Sequence, residues 1–229
     1  MMFLDWFAPS SAEAFKAQYF QKAPIANAGT AMSAAALLDW DVMGRVLASP
    51  RALNVVTVAA GRLVDAPAPR SLDELRSLMR LGVSVVVRDG ERHDPGLRQL
   101  ADAVETALPG VAHVQLYATP GGTNSYGWHY DFEDVFIAQT AGAKDYYFRA
   151  NTVARQTRLG DNLDFQAFRQ ENTPIFSSRL LPGDSLYLPS RWWHLVTCSE
   201  DSLSISVGVM SPAELAAARP NPHRRLFPT

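Results

Sequence analysis

The chain is 229 residues long, 47% hydrophobic, with a formal net charge of −2 and a single cysteine, Cys198. That length suits one core-bearing domain. The near-neutral charge, without runs of like charge, gives no sign of a nucleic-acid or membrane-surface footprint, and one cysteine excludes an intrachain disulfide.

In chain order, the opening stretch carries Asp5 and no basic residue before Lys16, so it lacks a secretory signal pattern. No apolar run reaches the ~20 residues of a membrane span. A soluble, cytoplasmic chain is expected. The first hundred residues read as mainly helical. Ser10 and Glu13 have capping-box spacing before "AEAFKAQYFQK", and Ser71 and Glu74 repeat it before "LRSLMR". Leu37 to Leu47 is an apolar helical segment. The β-branched runs "NVVTVA" (54–59) and "VSVVVR" (83–88) predict strands. Asp94-Pro95 starts a helix whose apolar positions are Leu97, Leu100, Val104 and Leu108, and Gly110 ends it.

From Val111 the pattern changes to short strands: "AHVQLYA", "DVFIAQ", "KDYYFRA", "PIFSSRLL", "SLYLP", "HLVTCS" and "SLSISVGVM". Pro120-Gly121-Gly122, Ala141-Gly142 and Pro182-Gly183-Asp184 punctuate them, which predicts an all-β sandwich or barrel. Helix returns at "SPAELAAARP". One domain over 1–229 is expected: a helical support with two strands (1–110), a β core (111–210), and a final helix and tail (211–229).

One pattern in the β half carries chemistry. His129 and Asp131 are two apart, so on a strand they project from one face and present an imidazole nitrogen and a carboxylate oxygen together. A third ligand must come from a neighbouring strand. Of His93, His113, His194 and His223, His194 fits best, because it follows "LPGDSLYLPSRWW" at a strand entrance. Two histidines and one carboxylate make the facial triad of non-haem Fe(II) oxygenases. An isolated His-x-Asp also occurs by chance, and His194 beside Trp192 and Trp193 also reads as a core histidine.

The segment from Leu81 to Val209 resembles the JmjC-type, cupin-fold family of Fe(II)- and 2-oxoglutarate-dependent oxygenases. The resemblance lies in "VQLYATPGGTNSYGWHYDFEDVFIAQTAGAKDYYF", similar to the family's H-x-D segment and following hairpin, and in "LLPGDSLYLPSRWWHLV", similar to its distal-histidine segment. "LGVSVVVRDGERHDPGLRQLADAVE" and the early "AFKAQYFQKAPI" resemble the approach to the barrel and the family's entry motif. The resemblance implies an all-β core with flanking helices, folded as a double-stranded β-helix (jelly roll). It implies that His129, Asp131 and His194 bind iron, and that Lys144, on the family's motif position, pairs with the far carboxylate of 2-oxoglutarate. Tyr117, on one strand face with Gln115, is a further co-substrate candidate or a core tyrosine.

The activity so implied is hydroxylation, with O2 and 2-oxoglutarate consumed and succinate and CO2 released. The expected substrate is a C–H bond of a protein side chain or an amino-acid-like small molecule. Ribosomal-protein hydroxylases of the family carry further C-terminal regions, whereas this sequence stops soon after the last predicted strand. A metal cupin without 2-oxoglutarate, or a non-catalytic cupin module, are the alternatives; Lys144 and the intact triad respectively argue against them. Tyr126 lines the pocket or closes a loop. Ser204, Ser206 and Gly208 share a strand face that looks into the pocket or to solvent. Trp192 and Trp193 read as packing, Glu133 and Asp134 as structural or solvated, and Cys198 as a buried small side chain.

Overall fold

A computed structural model describes residue 6 and residues 11–124, 126–152 and 165–217. Helix starts follow local chemistry. In α1 (Ala12–Gln18) the cap is Ser11, which accepts from Ala14 N–H at 3.1 Å; the expected cap Ser10 lies outside the described residues. Asp39 caps α3 (Trp40–Leu47), Ser71 caps α4 (Leu72–Arg80), and Asp94 caps α5 (Pro95–Ala107), where proline occupies the first turn. A short α2 (Met32–Ala35), α6 (Phe165–Gln170) and α7 (Pro212–Ala217) complete the helices. None of the described helices is long and apolar enough to cross a membrane.

Eleven strands form two antiparallel sheets among the described residues. The larger sheet has the order β1 (Ile25–Asn27), β9 (Ser185–Leu188), β6 (Asp134–Ala141), β11 (Ser202–Met210), β5 (Val111–Thr119), β4 (Ser84–Arg88), β2 (Asn54–Ala59) and β3 (Arg62–Leu63). The smaller has β10 (Trp193–Cys198), β7 (Lys144–Arg149) and β8 (Phe176–Leu180). The first 110 residues thus contribute four strands, not two. β1 and β3 escaped the sequence because three- and two-residue pieces carry too few positions for a periodic pattern.

One face of the larger sheet is covered by helices. Leu203, Ile205, Val207 and Val209 of β11 join Leu75, Leu97, Leu100 and Val104 there in one buried cluster. Phe15 docks α1 onto this face, edge-on to Tyr187 with ring centroids 5.1 Å apart. The other face meets the smaller sheet: Val135 and Ile137 of β6 pack with Tyr146 and Phe148 of β7 and Leu180 of β8. The two facing sheets make the jelly roll. Alternation along β11 therefore sends Ser204 and Ser206 between the sheets, where both line a cavity. The β6–β7 hairpin turns at Gly142, whose φ of +63° suits glycine, and an added Cβ would lie 2.3 Å from the Asp201 carbonyl oxygen.

Candidate metal centre

His129 and Asp131 do not sit on a ladder strand, which corrects the expectation for this segment. His129 forms an isolated antiparallel bridge with His194, and Asp131 lies outside any strand, on the approach to β6. The bridge is reciprocal: His129 N–H donates to His194 O at 3.1 Å, and His194 N–H donates to His129 O at 2.7 Å. Tyr130 and Phe132 flank Asp131 and are buried with Trp193, the Tyr130 and Trp193 rings meeting edge-on at 4.8 Å. Backbone pairing and aromatic packing, rather than strand alternation, bring the two residues to His194.

The ligand atoms of His129, Asp131 and His194 all lie within 4.8 Å of one another. The ring centroids of the two histidines are 4.1 Å apart, and His194 Nε2 is 3.5 Å from Asp131 Oδ2. Nδ1 of His129 lies 2.8 Å from Gly127 O, and Nδ1 of His194 lies 3.0 Å from Trp192 O. A carbonyl oxygen only accepts, so each ring donates from Nδ1 and leaves Nε2 as the nitrogen turned to the site. Burial, and then the neighbouring His129, push the His194 pKa well down, so the ring is neutral near pH 7 without a metal. Two imidazoles and a carboxylate are a donor set for a divalent first-row metal, and the second nitrogens of both rings are already oriented.

The triad opens into a cavity of about 310 Å³. Lys144, the first residue of β7, reaches into it from the smaller sheet and is 2% exposed. Its Nζ donates to Ser204 Oγ at 2.7 Å and stands 5.4 Å from the Tyr117 ring centroid. Among the described residues no carboxylate pairs with it, and burial lowers its pKa from 10.5 to about 8. An ammonium buried without a counter-charge is costly, so this end of the cavity favours an anion. Tyr117 also lines the cavity; its hydroxyl donates to Gln115 Oε1 at 3.1 Å, and burial raises its pKa.

Arg88, Tyr146 and Glu133 are cavity residues that sequence reasoning missed. Alternation from Lys144 points to Tyr146, two positions on; Arg88 needed the β4–β5 pairing that sets its strand beside Tyr117. Glu133 is structural rather than solvated: it is among the residues lining the cavity, and its carboxylate meets His113 Nε2 at 2.9 Å. Asp134 is structural: it accepts from the Tyr187 hydroxyl at 2.5 Å, and burial raises its pKa. Tyr126 lines the cavity beside His129, at 5.2 Å between rings. Trp193 is wholly buried, and its Nε1 finds no acceptor among the described residues. Cys198 is buried beside Ser202. His93 bonds Ser49 and His113 bonds Glu133, so neither joins the triad; His223 lies outside the described residues.

A family model described as JmjC domain matches residues 90–216. The bifunctional lysine-specific demethylase and histidyl-hydroxylase NO66 of Drosophila pseudoobscura pseudoobscura is 27% identical over 126 residues, 55% of this chain and 13% of that protein. A probable ribosomal oxygenase of Haemophilus influenzae is 31% identical over 96 residues, 42% of this chain and 23% of that protein. The chain thus spans less than a quarter of either relative. Among solved structures, Escherichia coli YcfD, a ribosomal oxygenase, in complex with cobalt and 2-oxoglutarate, has a TM-score of 0.62 and 19% identity, covering 96% of this chain and 62% of that one. The same protein with cobalt and succinic acid gives a TM-score of 0.63 and 19% identity, covering 91% and 54%. At these identities the structural likeness shows the fold.

Proposed function

The chain belongs to the JmjC domain family, and from that premise we propose that it is an Fe(II)- and 2-oxoglutarate-dependent oxygenase that hydroxylates a C–H bond of a protein side chain. The observation that carries the proposal is one cavity holding both a two-histidine, one-carboxylate set and a buried lysine that no carboxylate pairs with among the described residues. A metal cupin working without 2-oxoglutarate has no need of that ammonium. We take the chain to act as one JmjC-type unit.

In this proposal His129, Asp131 and His194 hold the iron. Bound with 2-oxoglutarate and O2, it would supply an oxidant able to take hydrogen from a C–H bond, with succinate and CO2 as co-products. Lys144 offsets the far carboxylate of 2-oxoglutarate, and Ser204 holds the ammonium in place. Tyr117 closes the wall beside it. The Gly127 and Trp192 carbonyls fix both imidazoles so that Nε2 faces the metal. Tyr146, Val135 and Ile137 keep the lysine end apolar and dry.

The choice of a protein side chain draws on the names of the relatives, a histidyl-hydroxylase and ribosomal oxygenases, and on access. The Asp131 side chain is 37% exposed against 8% for His194. A side chain carried on a larger molecule would approach from the Asp131 side.

The test is anaerobic titration of the protein with Fe(II) and 2-oxoglutarate, watching for the visible charge-transfer band of the chelate. The band is expected in the wild type and absent in Asp131→Ala. A wild type that binds the metal but develops no band with 2-oxoglutarate would overturn the oxygenase proposal in favour of the metal cupin.

A further inference from the structure

Asp131 is held differently from the two histidines. Each imidazole is braced by its own Nδ1–H bond to a backbone carbonyl. The Asp131 carboxylate accepts no hydrogen bond among the described residues; its near polar neighbour is His194 Nε2 at 3.5 Å. Its position therefore depends on the backbone from Tyr130 to Glu133, which belongs to no ladder. Toward β10 that backbone is tied by Arg191 N–H, which donates to Asp131 O at 2.7 Å.

The second tie is two residues on. Glu133 sends its carboxylate across β11 to His113 on β5, with Oε2 at 2.9 Å from Nε2. The residue beneath the crossing is Gly208, the register partner of His113 on one side and of Val135 on the other. A Cβ at position 208 would lie 2.4 Å from the Glu133 carboxyl carbon. Any side chain there would stand between glutamate and histidine. The pair is largely shielded, with side chains 13% and 23% exposed, so water competes weakly with it.

We infer that the Glu133–His113 pair, seated over Gly208, is a positioning device that fixes the Asp131 ligand by anchoring the chain behind it to β5. The inference rests on the metal-site proposal above. Glu133 acts through the backbone it shares with Asp131, not by touching the metal. Gly208 is then a functional glycine because of what it lets lie across it. Outer-sphere partners of a metal site typically contribute roughly tenfold to a hundredfold in affinity, and the same range is expected here.

Co(II) is the probe, titrated anaerobically into wild type, Glu133→Ala, Glu133→Gln and Gly208→Ala, with its visible d–d spectrum as a second readout. Unfolding of each metal-free protein in urea separates lost folding from lost positioning. Glu133→Ala and Gly208→Ala are expected to bind Co(II) roughly tenfold to a hundredfold more weakly with an altered spectrum. Glu133→Gln, which keeps an oxygen for His113, is expected to recover affinity and spectrum toward wild type. The double variant Glu133→Ala, Gly208→Ala is expected to be no weaker than either single one, because both break one contact. A Glu133→Ala protein with wild-type affinity and spectrum overturns the inference, and decides the matter alone if Gly208→Ala does not fold. A folded Gly208→Ala with wild-type affinity overturns the role of the glycine seat. A wild type that binds no Co(II) fails the metal-site proposal itself, and the inference with it.

Discussion

Raising the pH from 7 to 9 should weaken 2-oxoglutarate binding, and Lys144 is the reason. Its ammonium is buried, held by Ser204 Oγ at 2.7 Å, and its pKa is lowered by burial to about 8. Without co-substrate, about nine-tenths of the lysine is charged at pH 7 and about one-tenth at pH 9. A carboxylate binds the charged form and holds its proton, so the dissociation constant should rise about tenfold across that window. Lys144→Arg stays charged throughout and should show a flat profile, at whatever affinity its different reach allows. Lys144→Ala should bind about two to three and a half decades more weakly at pH 7, from the ~3–5 kcal/mol cost of leaving one buried charge alone. The assay is calorimetry with Mn(II) as a redox-inert metal. The same lysine destabilises the fold at neutral pH. Its folded pKa lies below its unfolded one, so the unfolded chain holds the extra proton, and stability rises with pH between about 8 and 10.5. The fall from 10.5 to about 8 is worth about 3 kcal/mol at most, so Lys144→Met should be more stable than wild type at pH 7. A wild-type dissociation constant unchanged from pH 7 to 9, or an arginine variant with the wild-type slope, would refute this reasoning.

Asp131→Ala and His129→Ala should each lose iron-dependent 2-oxoglutarate turnover while keeping the wild-type circular dichroism; a purified Asp131→Ala with wild-type turnover removes the triad assignment. Trp193→Ala should cost about 3–5 kcal/mol in urea unfolding, since a wholly buried indole packed on Tyr130 and Phe168 leaves a large cavity; a loss below about 1 kcal/mol would mean the aromatic cluster is not a structural support. Gly142→Ala should destabilise by at least about 1–3 kcal/mol, because φ is +63° and the Asp201 carbonyl blocks the Cβ; an unshifted urea midpoint would contradict the hairpin geometry. Asp134 has a raised pKa in the fold, so its contribution is greatest at low pH and declines as pH rises through that pKa. Asp134→Asn should remove this decline in a pH series of unfolding free energies, and a series matching wild type would count against the buried carboxyl.

The elements whose information is local were legible from the residues alone. Asp94-Pro95 and Ser71 cap their helices because a cap needs only the next few backbone N–H groups. The alternation of β11 was legible because burial on two faces imposes a period of two, and Ser204 and Ser206 do face the cavity. The three proposed ligands were legible as types and order, through motif resemblance more than through spacing, and the fold brings them together. The rest depended on which segments pack together. His129 and Asp131 converge on His194 through one isolated bridge and a cluster of Tyr130, Phe132 and Trp193, contacts between segments some sixty residues apart in sequence that no local period encodes. Whether Lys144 faced solvent or cavity depended on which sheet β7 joined, and only the pairing with β10 and β8 settled its burial. Whether Glu133 was structural or solvated could not be read locally, because its partner, His113, lies two strands away and the space between them exists only where Gly208 omits a side chain. Local chemistry is written in neighbouring residues, whereas the environment of a charge is set by the strands that happen to lie opposite it.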